Sequence, residues 1–385
     1  MRTKCPAIIA KGGNSMIALL DSTIDGDGVD IPAIQTEGAL YLRNVNVSGY
    51  AAAVKTTKVK LVRKGKKRTT QKTPGLTLPA GKIDEFIAEH KLVLHADSQS
   101  GSLALPVEEV PILPREPHEK WVNILKYAHL KKGDKKEEDW AAAIQKAVDD
   151  GAECIYFPAS SKDYPIAADV HLRGNLKRLF GMRNKIGGKG RLVFEHSGAN
   201  HTLTIERLEL GAVHHDSPGT LVMLSSWPKT FTNSRRAGRL FLFNSLGSDW
   251  HFQAPLKVWA RQWNVERHGP GPCIISRGAQ IWSLGFKTEY DSQKIQAVCG
   301  SRIEILGAFL YPIGKIPPDR PLIVNEDSDL AIMYGLSVYR SNHRIQILDR
   351  KNGRQTIVSP QDLLWVGSRA RMDLFVSRGL SPSRQ

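Results

Sequence analysis

Apolar residues in the second half of the chain come in short runs separated by polar turns. Runs at 203–210, 221–224, 240–243, 258–266, 281–289, 303–311 and 330–339 each read as a strand. The last four begin 23, 22 and 27 residues apart. Such a period of strand plus turn predicts a solenoid, in which no coil buries its apolar face without its neighbours. Leucine-rich repeats share the period, but their Leu-x-x-Leu-x-Leu pattern is absent, so a parallel β-helix fits better.

Helical periodicity is clear in one place. Ala141, Ile144, Ala147 and Val148 share one helical face, with Asp139 as a candidate N-cap and Gly151 just past the end. A strand at 154–157 follows and stops at Pro158. Residues 1–54 read as short strands and turns. From 55 to 120 the composition turns basic and then Pro-rich (Pro74, Pro79, Pro106, Pro111, Pro114, Pro117), which predicts an extended linker with a short helix at 83–90. The predicted organisation is therefore a partial β-helix at 1–54, a linker at 55–120, a β-helix at 121–345 and a C-terminal tail at 346–385.

Composition narrows the class. The 385 residues are 41% hydrophobic and 24% charged, as in ordinary globular proteins. No run of eighteen apolar residues occurs, so no membrane span is expected. Gly12, Gly13, Asn14 and Ser15 interrupt any signal-peptide core. Cysteines at 5, 154, 273 and 299 lack CxxC or zinc spacing, which predicts free thiols and no metal site. The net charge of +16 concentrates at 55–72, where nine Lys or Arg occur without an acid. That run could bind an anionic polymer. With no aromatic residue interleaved it offers no base-stacking platform, and a solvated connector is the expected reading, with nucleic acid not a partner.

Candidate chemistry centres on two nonapeptides, "VWARQWNVE" at 258–266 and "IWSLGFKTE" at 281–289. Their 23-residue offset aligns Trp259 with Trp282 and Glu266 with Glu289. Equivalent positions on adjacent coils stack at about 4.8 Å. Like charges that close disfavour double ionisation, so one carboxyl should hold a proton while the other stays ionised, as glycoside hydrolysis needs. A ladder of surface glutamates neutralised by Arg267 or Lys287 fits the same residues. Trp250, Trp259, Trp263 and Trp282 cluster here. Trp259 and Trp282 are expected as an internal aromatic stack, and Trp250 and Trp263, with Gln262 and Lys287, as substrate-binding residues. "DGDGVD" at 25–30 reads as a turn rather than a calcium loop, His214, His215 and Asp216 as a polar turn, and "NED" at 325–327 as a rung corner.

"DWAAAIQKAVDDGAECIYFPASSKDYPI" resembles the capping helix and first rung of the pectate-lyase-like right-handed β-helix superfamily. "VWARQWNVE…IWSLGFKTE" and the connector "LPVEEVPILPREP" are similar to glycoside hydrolase family 55, the tandem β-helix β-1,3-glucanases. The resemblance runs from about residue 100 to 340. It implies an all-β fold, a right-handed parallel β-helix with an N-terminal capping helix and the last coils of a preceding one. It also implies an inverting hydrolase on β-linked glucan, with Glu289 as general acid and Glu266 positioning or activating water. A polysaccharide partner, no cofactor, and secretion or cell-surface placement of the full-length protein follow from it; the sequence leaves the oligomeric state open, with a monomer expected. The family carries two complete β-helices, whereas 54 residues hold only the last coils of one, so an N-terminally truncated chain is expected. The family's first-helix site residues have no match in residues 1–54. A non-catalytic glycan-binding or scaffold β-helix is the alternative. A uronate lyase would need a calcium-binding carboxylate cluster and a basic residue on one face, and neither is present.

Overall fold

The computed structural model describes residues 5–27, 30–64, 67–95, 101–133, 138–159, 163–339 and 341–379, without the side chains of Leu61, Arg63, Lys64, Lys67 and Arg68. The "DGDGVD" turn and the centre of the basic run thus fall partly outside the described residues. The chain is an all-β solenoid of parallel stacked coils, about 14 turns in all. Among the described residues helix is confined to Ala141–Asp149 and short 3-10 turns.

Ala141–Asp149 buries Ala141, Ala143, Ile144, Ala147 and Val148 against the first coil. The Asp139 side chain accepts from the Ala141 and Ala167 backbone N–H groups at 3.0 and 2.9 Å, so one carboxylate caps the helix and ties it to the next strand. Beyond it, strands repeat in parallel register. One face runs Thr204, Val222, Phe241, Trp259, Trp282, Glu304, Ala331 from coil to coil. Inward-facing residues of all faces form one apolar column along the axis, from Ile144 to Phe375.

A seam of left-handed residues marks one corner. Arg183, Arg207, Ser225, Asn244, Gln262, Gly285 and Gly307 occupy it with φ of 48–77°. Each turns its strand out of one face and into the next, a conformation that costs a residue with a Cβ about 1–2 kcal/mol. Only stacking against the coils above and below holds the non-glycine members there.

The described residues of 55–94, expected as a linker with a helix, instead run mostly as paired strands. Ala52–Lys64 joins Pro32–Thr36 in parallel and Lys67–Leu78 in an antiparallel ribbon. Gly81–Ile87, placed where the helix was expected, pairs antiparallel with Ala39–Ser48. The apolar spacing of Ile83, Phe86 and Ile87 suits a helix, but the open sheet edge offers a full ladder of backbone bonds and wins. Among the described residues of the expected linker, 101–117 is the long stretch without regular structure. Residues 346–377, expected as a tail, complete Ile345–Lys351 and add Arg354–Val358, Leu364–Val366 and Arg369–Ser377, all in antiparallel pairings. Both stacks of parallel coils thus end on antiparallel strands. Arg369–Ser377 also pairs in parallel with Lys91–Leu94, joining the two stacks.

Candidate functional site

The strands Lys257–Glu266 and Gln280–Glu289 pair in parallel, and Glu266 stands directly opposite Glu289. Past the corner at Gln262 and Gly285, Trp263, Val265, Phe286 and Thr288 point inward, while Asn264, Glu266, Lys287 and Glu289 lie outward and half-buried. Asn244, Gln262, Asn264, Gly285 and Lys287 line an open groove of about 320 Å³ along this corner.

The two glutamates are bridged. The Lys287 ammonium donates to Glu266 Oε1 and, at 2.5 Å, to Glu289 Oε1. Asn264 Nδ2 donates to Glu266 Oε1 at 2.9 Å. Burial alone would push the Glu266 carboxyl up, but the bonds from Lys287 and Asn264 and the ammonium charge outweigh it and hold the group below its usual range. Lys287 responds in kind: burial pulls it down, and its two carboxylate bonds raise it above the usual lysine range.

This corrects the expected electrostatics. An ammonium lies between the two carboxyl groups, and it favours the ionised form of Glu266 rather than a proton shared across the pair. Two oxygens on one ammonium lie within about 6 Å of each other, closer than the roughly 6.5–9.5 Å that an inverting pair of carboxyl groups requires. Arg267, the other candidate counter-ion, bonds Asp249 instead.

Removing that ammonium should reverse the pH response. In the native chain Glu266 is ionised below its unfolded pKa of about 4.5, so its contribution is full above that pH and fades as pH falls through the lower folded value. In Lys287→Met two facing carboxylates remain, and the pair takes up a proton more readily. The stability contribution then appears at low pH and fades as pH rises through the raised value. Thermal midpoints of both proteins across the acid range check this; parallel curves would mean that Lys287 does not set the charge state.

Two expected binding residues are elsewhere. Trp250 and Trp263 are fully buried in the solenoid axis, edge to face at 5.3 Å and 89°. Phe231, Phe252 and Phe286 surround them. In "DWHF" the alternation puts Trp250 and Phe252 inside and His251 outside. For Trp263 the left-handed Gln262 resets the alternation, which sends the next residue inward. Trp263 therefore floors the groove from beneath and offers no ring face. Gln262 and Lys287 do line it.

Trp259 and Trp282 are buried but outside the axis. Trp259 stacks on Phe241 at 5.0 Å and donates from Nε1 to the Pro106 carbonyl at 2.9 Å. Arg261 lies over Trp282 at 4.8 Å. With Tyr41, Leu103, Leu105, Leu306 and Met333 they form a second core between the main solenoid and the N-terminal coils.

Sequence reasoning missed several neighbours of the glutamates. On the next rung Phe309 stands opposite Lys287 and Tyr311 opposite Glu289. Their rings stack at 6.4 Å, and Phe309 is 43% exposed. The left-handed corner at Gly307 shifts the alternation before them, so counting along the strand does not find them. Lys294, fully buried, donates to the carbonyls of Glu289 at 2.5 Å and Tyr290 at 3.0 Å and to Ser292 Oγ at 3.1 Å, clamping the turn that follows Glu289. Burial pushes its ammonium down to about 8.

The remaining candidates are structural. His215 is buried, pushed down to about 4 by burial, while His214 bonds Thr232 Oγ1 at 2.8 Å on the other face. Asn325 bonds Asp349 inside the corner rather than facing a cleft. Among the described residues no cluster of metal-ligating side chains occurs. All four cysteines are free; Cys154 and Cys273 are buried, whereas Cys5 and Cys299 are exposed.

No family model matches the chain, and no curated protein matches it. Among solved structures it is similar to ORF18 of Geobacillus virus E2, at 14% identity and a TM-score of 0.28, over 65% of this chain and 68% of that one. A likeness at that level says nothing about what this chain does.

Proposed function

We propose that this chain acts on polysaccharide, as a glycoside hydrolase of β-linked glucan centred on Glu266 and Glu289. The observation that carries the reading is the alignment of two outward glutamates on adjacent coils beside an open groove and a stacked aromatic pair, of which Phe309 is exposed and Tyr311 half-buried. In this reading Glu266, kept ionised by Lys287 and Asn264, activates water. As a sugar enters, the bond from Lys287 Nζ to Glu289 is released and the two carboxyl groups move apart to admit the water. Glu289 takes a proton from solvent and gives it to the leaving oxygen, while Glu266 accepts the proton that the attacking water loses. Phe309 and Tyr311, rather than Trp250 and Trp263, give the apolar platform for a sugar ring. Such a protein belongs at the cell surface or outside the cell, where its substrate lies.

Reducing-sugar release from a panel of β-glucans tests this. Cleavage of β-1,3-glucan should fall at least about a hundredfold in Glu289→Gln, the usual scale for losing a general acid. Release that survives Glu289→Gln sinks the mechanism. The Lys287 bridge favours a second reading, a glycan-binding β-solenoid without hydrolysis. That reading predicts retention on immobilised glucan with no sugar released.

A further inference from the structure

The corner seam continues away from the glutamates into two further grooves, of about 370 and 460 Å³, that meet at Trp227. Arg183, Lys185, Arg207 and Lys229 line them, and all four are exposed. Glu209 is the one carboxylate in the lining. The Arg183 guanidinium lies over the Trp227 ring at 4.8 Å, a contact that restrains it at the groove. Neither Arg183 nor Lys229 has an ion-pair partner among the described residues. Arg207 reaches only Glu206, at 3.9 Å, and that carboxylate is already bonded by Arg115 and Arg178. Lys185 meets Asp163 at 3.6 Å, with both groups exposed. Unpaired, preoriented cations are stronger anion receptors than neutralised ones.

This patch and the glutamate corner share one face. Lys185 stands opposite Glu209, and Glu209 opposite Trp227. Leu246, beside Trp227 in the groove, stands opposite Asn264, and Asn264 opposite Lys287. From the coil of Arg183 to that of Gln262 is four rungs, about 19 Å at the usual strand spacing. One rung is close to the length of one sugar ring, so an extended chain laid along the seam meets equivalent positions at every step.

We propose that this seam binds an acidic polysaccharide, with carboxylate or sulfate groups held by Arg183, Arg207 and Lys229 and uncharged residues of the same chain passing Glu266 and Glu289. The proposal rests on the polysaccharide reading above and narrows its substrate to a partly anionic glycan. A polynucleotide fits the seam poorly. Its phosphates recur at every unit and must face the two glutamates, and Trp227 is already covered by Arg183, so no ring is left for base stacking.

The test uses the full chain in its Glu289→Gln form, so that binding is read without turnover. Calorimetry at low salt compares a β-1,3-glucan, its carboxymethylated derivative and a poly(dT) strand. The carboxymethylated glucan should bind at least about tenfold tighter than the neutral one, a difference of about 1.4 kcal/mol. That preference should vanish in Arg183→Ala/Arg207→Ala and shrink in high salt, as screening requires. Unchanged far-UV circular dichroism shows that the double variant is folded; Lys229→Ala serves if it is not. Equal binding of the two glucans, no binding of either, a preference that survives these substitutions, or tighter binding of poly(dT) overturns the proposal. Absence of sugar release by the native chain overturns the hydrolase reading alone.

Discussion

Trp263→Ala should cost the fold about 3–5 kcal/mol, the usual toll for emptying a buried tryptophan site. The ring is fully buried, edge to face with Trp250 at 5.3 Å and with Phe286 of the next coil at 5.4 Å. It bridges coils along the axis rather than packing within one. In a solenoid each coil is held only by its neighbours, so a cavity there weakens the interface on both sides. The neighbouring Gln262→Ala makes the contrast. That residue is exposed at the corner, and its loss should change stability by no more than about 0.5 kcal/mol. Urea unfolding followed by circular dichroism separates the two. A Trp263→Ala protein of unchanged stability but weakened glucan retention would return that tryptophan to the binding surface.

The contrast between Gln262 and Trp263 also shows how far the sequence could be read. The coil period, the capping helix and the pairing of Glu266 with Glu289 rest on spacing alone, and spacing is directly visible. Side-chain direction rests on alternation, which holds only within an unbroken strand. The left-handed residue at each corner shifts the alternation by one, so residues on either side of Gln262, Gly285 and Gly307 cannot be assigned by counting. That shift hid Phe309 and Tyr311 and misplaced Trp263. The other failure was at the ends. Ala52–Lys64 carries Thr, Val and Leu at strand spacing, but its lysines dominated the reading. Pairing with Pro32–Thr36 is a long-range fact that local composition does not reveal. The bridging position of Lys287 lay open as one of two alternatives, because Arg267 could have served and only the structure shows it turned to Asp249.

Glu304 carries the second large effect. It alternates as an outward residue between Ile303 and Ile305, where a solvated glutamate would pass unnoticed. Here the outward face is covered. Glu304 is fully buried, accepts from the backbone N–H groups of Ala104 at 2.9 Å and Leu105 at 3.3 Å, and pairs with Arg43 of the N-terminal coils at 2.9 Å. One carboxylate therefore joins three parts of the chain. Glu304→Ala leaves a half-buried guanidinium without its counter-charge and the Leu105 N–H without its acceptor, with Arg43 and Ala104 retaining only bonds to Ser102 Oγ. Breaking a buried pair from one side costs about 3–5 kcal/mol. Arg43→Met in the Glu304→Leu background should regain part of that loss, since apolar residues replace a buried pair at little cost. The recovery stays partial because the Leu105 N–H still lacks its acceptor and Ala104 keeps only Ser102 Oγ, at 3.3 Å. Urea unfolding of the single and double variants gives the coupling energy. Limited proteolysis should cut 101–117 faster in Glu304→Ala, as that segment loses its anchor on the solenoid. Single and double variants of equal, native stability would mean that the apolar contacts of Tyr41, Trp259 and Trp282 hold the N-terminal coils in place without the ion pair.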